Sequence, residues 1–238
     1  MDLVNPDSLT ATVDAVNEAF FMHTPLTASA RRSAAATIAA RQGGPGAYGR
    51  MFAPIGVELA HGFRLFTGEK VPGGRGGLHI LGEEACRALV LLGPSSKPVR
   101  DSLDRASAAI MEYAASAKPV AIIAPVPGPR NLPGMYCCMK CSVSVWRHLS
   151  VRTESAAERF IAAGLKALHA HRTGDGRWMA WPFHYTLLAL SEIDLPAARA
   201  ELRYAAGQCE AELAGRASRA NIYSQRRRLL MERILAKC

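Results

Sequence analysis

Apolar residues recur at helical spacing along most of the chain, and the strict alternation of a half-buried strand is scarce. Leu9, Val13, Val16 and Phe20 fall on one face and predict a first helix over residues 9–21, capped by Asp7 or Ser8. Pro25 ends it. An alanine-rich second helix is predicted over 27–41, stopping at Gly43-Gly44, and a third over 54–66, carrying Val57, Leu59, Ala60 and Phe63. Beyond a glycine-rich loop at 71–77, helices are predicted over 78–92, 98–117, 136–149, 155–171, 182–193 and 196–214, with a last one from Ser218. Ser155 and Glu158 have the spacing of a capping box. Pro119, Pro125, Pro127, Pro129 and Pro133 rule out a regular helix between 118 and 134. The expectation is an all-α chain of paired antiparallel helices. It reads as one domain over 1–238, with halves at 1–118 and 135–238 joined by a proline-rich strap at 119–134.

One stretch organises the rest. In residues 172–192, RTGDGRWMAWPFHYTLLALSE, a helix end meets a glycine turn, then an aromatic corner, then a helix opened by Pro182. Gly174 and Gly176 let the chain reverse there without a Cβ clash. The order has an echo at 41–60, where Arg41 and Gly43-Gly44 precede Tyr48, Phe52, Pro54 and Leu59-Ala60. The offset is about 130 residues, which reads as duplication of a helix–corner–helix unit. Two unrelated helical hairpins sharing a glycine turn are the competing reading.

The run Gly174-Asp175-Gly176-Arg177-Trp178, followed by Pro182-Phe183-His184-Tyr185-Thr186 and Leu187 to Leu190, resembles the repeat of the prenyltransferase and squalene-cyclase superfamily. The resemblance covers residues 172–193, with the weaker echo at 41–60. It implies a partial α/α toroid and an apolar, isoprenoid-like ligand or a protein partner, held by Trp178, Trp181, Phe183, His184 and Tyr185. The aspartate-rich motif of the cyclases is missing and the chain is shorter than a complete toroid. A complete cyclase is therefore not expected, and no reaction can be read from these residues.

Composition is that of a globular protein, 49% hydrophobic and 21% charged over 238 residues. No apolar run reaches the length of a membrane span, and the acidic N-terminus does not read as a signal peptide. Six cysteines, two of them adjacent, do not resemble a secreted disulfide framework, so a cytoplasmic setting is expected. The formal charge of +9 is concentrated at the end of the chain. Residues 216–238 hold seven cations against Glu232 alone. Arg226, Arg227 and Arg228 there are candidates for contact with nucleic acid, a membrane surface or an acidic partner. The alternative is a solvated helix face with carboxylate partners inside the chain.

The chemistry-bearing motif is Cys137-Cys138-Met139-Lys140-Cys141. Cys138 and Cys141 form a CxxC, and Cys137 and Cys141 are spaced i, i+4, so either pair faces one way on a helix. Following Pro133-Gly134, these thiols are expected near a helix N-terminus, where the dipole and Lys140 favour thiolate. Three readings stay open: small hydrophobes in a core, a zinc or other soft-metal site, and thiol redox chemistry. His148 is too far along a continuous helix to join Cys141, leaving His184 as the candidate third ligand. His184-Tyr185-Thr186 is similar to the zinc-ligand surroundings of protein prenyltransferases. The redox reading finds Val145 where carboxymuconolactone-decarboxylase-like proteins place a histidine. His169 and His171 are expected to cap a helix end at the surface.

Overall fold

The computed structural model describes residues 2–115, 133–215 and 221–238, so all but the end of the proline-rich strap lies outside the described residues. Among these residues are nine helices and one two-stranded antiparallel sheet, an all-α fold. The helices are α1 (Leu9–Phe21), α2 (Ala28–Ala39), α3 (Arg75–Leu92), α4 (Lys97–Ala115), α5 (Met139–Ser150), α6 (Ser155–His169), α7 (Phe183–Glu192), α8 (Pro196–Ala214) and α9 (Ile222–Leu235). Strands β1 (Phe63–Arg64) and β2 (Lys70–Val71) form the small hairpin, Phe63 opposite Val71. No helix among the described residues is long and apolar enough to cross a membrane.

The chain divides into two compact units. One comprises Met1–Phe66 with Lys70–Ser116; the other comprises Thr67–Glu69 with Ala117–Cys238. In the first, α3 packs on α1, α2 and α4, and its Ile80, Leu81, Ala85 and Leu89 are buried with Val13, Val16, Ile38 and Ile110. In the second, α7 packs on α5, α8 and α9, and Tyr185 and Leu187 to Leu190 are at most 1% exposed, as the unbroken apolar run requires.

The two units share much of one plan, although α2 packs on α3 and α6 has no comparable packing on α7. Packing of α1 on α2 and α3, α2 on α4 and α3 on α4 in the first corresponds to α5 on α6 and α7, α6 on α8 and α7 on α8 in the second. Between the second and third helix of each lies the same backbone bridge, Gln42 to Phe52 and Arg172 to Trp178. Gly43 N donates to Met51 O and Ala53 N to Arg41 O; Thr173 N donates to Arg177 O and Met179 N to His171 O. This pairing moves the expected alignment by one residue, placing Gln42 against Arg172 and Arg41 against His171.

The helix expected at 54–66 does not form. Residues 56–61 are turns, and β1 begins at Phe63. The reason lies in Glu58, whose carboxylate accepts from Ile55 N at 2.6 Å, Leu9 N at 3.1 Å, Thr10 N at 3.0 Å and the Ser8 hydroxyl at 2.7 Å. It therefore closes its own turn and caps α1, beside the cap that Ser8 gives Ala11 N. Burial alone would raise the Glu58 pKa, but hydrogen bonds from Ser8, Ile55 and Thr10 bring it below the usual carboxylate range. A depressed folded value stabilises the protein above the unfolded pKa, about 4.3, and that contribution is lost as pH falls through the folded value. Glu58→Gln is expected to lower stability by about 1 kcal/mol at neutral pH, as loss of a cap does. In denaturant titrations the gap from wild type should close on acidification below about pH 4.

Candidate thiol centre at the start of helix α5

Cys138 is the N-cap of α5, in extended backbone with φ −152° and ψ 175°. Its sulfur accepts from Cys141 N at 3.5 Å, taking the place of the oxygen that usually caps a helix. The approach to the helix is fixed from both sides. Tyr136 N donates to Ser142 Oγ at 2.9 Å, Ser142 Oγ donates to Cys138 O at 2.7 Å, and Gly134 O accepts from Trp146 Nε1 at 2.9 Å. Gly134 adopts φ +81°, and a Cβ there would stand 2.0 Å from Gly164 N, so only glycine allows the loop to lie this close to α6.

Three thiols meet at this cap. Cys138 Sγ is 3.4 Å from Cys141 Sγ, and the sulfurs of Cys137 and Cys141 lie within 4.8 Å of each other. Cys141 is buried, while Cys137 and Cys138 are half-buried. Hydrogen bonds from the Cys137 and Cys141 thiols bring the Cys138 pKa down to about 2, helped by the backbone N–H groups of Cys141 and Lys140 and opposed by burial. The shift favours thiolate over thiol at Cys138, where these donors converge on one sulfur. Such a set can bind a soft cation or exchange a disulfide. The CxxC spacing marked Cys138 and Cys141 in advance. Cys137 was legible only as an i, i+4 partner of Cys141, and its bond to Cys138 is set by the extended cap.

His184 does not join the thiols. Its Nε2 lies 2.7 Å from Glu212 Oε2 and its Nδ1 4.0 Å from Glu69 Oε1. Burial pulls its pKa below the ordinary histidine value although the carboxylates oppose this. Glu212, also bound by Arg177 and Gln208, holds that ring on α7 against α8. The expected zinc-ligand role for His184 beside Cys138 and Cys141 is thus replaced by an imidazole–carboxylate pair.

The aromatic corner packs on itself. Trp178, Trp181, Phe183 and Tyr185 are each at most 8% exposed. Trp181 stacks on Trp146 with ring centroids 5.0 Å apart, and Arg177 covers Phe183 at 4.4 Å. These contacts close a corner between helices. Glu201 of α8, which no sequence pattern marked, fixes that corner. Its carboxylate accepts from Trp178 Nε1 at 2.9 Å and from Arg172 Nε and Nη2, each at 3.0 Å. His169 Nδ1 lies 2.9 Å from Glu201 Oε1, and His171, expected at the surface, is buried with Nδ1 2.6 Å from Ala167 O.

The arginine triplet of α9 does not form one basic face. Arg226 is 2% exposed, Arg227 Nε donates to Thr67 O, and Arg228 is exposed and paired with Glu232 at 2.9 Å. Three successive helical positions point about 100° apart, so one side chain is buried, one tethered and one solvated. Of the candidate sites, the thiols bring three soft-metal ligands together at one helix cap. Comparison of the chain with family models, curated proteins and solved structures returns no match.

Proposed function

We propose that the start of α5 is a soft-metal centre in which Cys137, Cys138 and Cys141 supply thiolate ligands, with zinc the ion that best suits them. The observation that carries this is the convergence of three thiols from one short segment at the helix cap. Two sulfurs about 2.3 Å from one tetrahedral ion stand about 3.8 Å apart, so the 3.4 Å between Cys138 and Cys141 needs only a small opening. Binding would deprotonate Cys137 and Cys141 and leave a fourth position for a further ligand. The site would then stabilise its unit by an amount that grows with the logarithm of free metal.

The test is elemental analysis of the full chain purified under reducing conditions, followed by replacement of the ion with cobalt(II). About one ion per chain and a sulfur-to-cobalt charge-transfer band are expected. Both should disappear in Cys138→Ser and Cys141→Ser. Metal-free protein that shows no such band with added cobalt would overturn the proposal.

A dithiol–disulfide reading is favoured by the N-cap position of Cys138. Its thiolate would attack a disulfide on a partner, and Cys141 would displace the mixed disulfide, transferring two electrons to the partner, whose two sulfurs leave as thiols. Reversible loss of two titratable thiols in metal-free protein supports this route; thiols that stay reduced in an oxidised glutathione buffer oppose it.

A further inference from the structure

The first unit contains an open-sided cleft of about 380 Å³ between α2, the end of α3 and the start of α4. That volume falls within the range of small-molecule sites. Its walls divide by chemistry. Arg31, Arg32, Ser95 and Ser96 supply donors, while Ala35, Leu92 and Val99 form an apolar floor, all three of them buried. No acidic residue lines it.

The two arginines are placed differently. Arg31 is held, with Nη1 donating to Leu91 O at 3.2 Å and its guanidinium 5.3 Å from the centre of the Phe20 ring. One edge of that cation is fixed and the rest remains for a ligand. Arg32, the next residue on α2, is exposed. The rim is positive as well. Arg100 donates to Ser95 O, and Lys97, paired with Asp101, begins α4. Two cations and two hydroxyls thus share the cleft with an apolar floor, with no carboxylate in the walls to neutralise them.

We infer that this cleft binds a small organic anion, a phosphate monoester or carboxylate whose charged head meets Arg31, Arg32 and the serines and whose apolar body lies on Ala35, Leu92 and Val99. Arginine recognises either head through its planar fork, and the floor rewards the attached carbon. Metal loading at the thiols plays no part in this inference.

Phenyl phosphate, inorganic phosphate and phenol are the probes, titrated calorimetrically into the full chain at low salt. Phenyl phosphate is expected to bind at one site, with phenol and inorganic phosphate each weaker by about tenfold or more. Arg32→Ala, at an exposed helical position, should lower phenyl phosphate affinity about tenfold and leave the fold unchanged by circular dichroism. Ala36→Trp, also at an exposed position on the cleft wall, should block it by occupying the space. Absence of phenyl phosphate binding at millimolar concentration, or equal binding by wild type and Arg32→Ala, would overturn the site. Equal affinity for inorganic and phenyl phosphate would overturn the role of the apolar floor.

Discussion

Gly164→Ala is expected to destabilise the second unit by about 3 kcal/mol, in spite of the better helix propensity of alanine. A Cβ at this position would stand 2.4 Å from Trp146 Cζ2, 2.6 Å from Cε2 and 2.7 Å from Gly134 O. None of these atoms can move aside cheaply. Trp146 is fully buried, its indole N–H bonded to Gly134 O and its ring stacked on Trp181. Shifting it would also loosen the loop that delivers Cys137 and Cys138 to the cap. Gly207 of α8 provides the control, because a Cβ there meets nothing within 4 Å. Gly207→Ala should raise stability by up to about 1 kcal/mol. Chemical denaturation of the two variants therefore separates propensity from packing: opposite signs are expected, and a stabilising Gly164→Ala would show that Trp146 is not held as described.

Glu201→Gln is expected to lower stability by a similar amount, about 3 kcal/mol, near the low end for breaking a buried ion pair because Arg172 is partly solvated. The Glu201 carboxylate is 2% exposed and is the common acceptor for Arg172, Trp178 and the His169 contact. An amide removes the charge opposite Arg172 and turns an NH₂ group toward donors, leaving at least one buried donor without an acceptor. The indole of Trp178 would report the loss. A red-shifted tryptophan emission and faster amide exchange at Thr173 and Met179, whose N–H groups close the corner, are the expected signatures. Unchanged emission and exchange would show that the aromatic packing holds the corner without Glu201.

What the sequence made legible was local. Ser8 was readable as a cap because its partner, Ala11 N, lies three residues on. The CxxC was readable because one helical turn defines it. Pattern failed where the deciding partner is distant in sequence. Residues 54–66 have helical spacing, yet Glu58 is bound to the start of α1, some 50 residues away. Ser155 and Glu158 have capping-box spacing, but the N-cap is Glu154, whose carboxylate is held by Arg152. The capping box that does form, Asn221 with Ser224, lies at α9. Arg226 and Arg228 have the same charge in the sequence, and their rotation about α9 alone buries one and exposes the other. Glu201 was invisible for the same reason: nothing near it in the chain records that three side chains from residues 169–178 will converge on it.

The repeated corner separates what the architecture demands from what it tolerates. Between the bridge partners one unit has the residues of 43–51 and the other the shorter 173–177, with almost no side chain in common. The four peptide groups that exchange hydrogen bonds correspond one for one. The constraint therefore falls on main-chain pairing, and the side chains between are at liberty to diverge. One corner has used that liberty to gather Trp178 onto Glu201, while the other has a loop four residues longer and still rejoins the same backbone register.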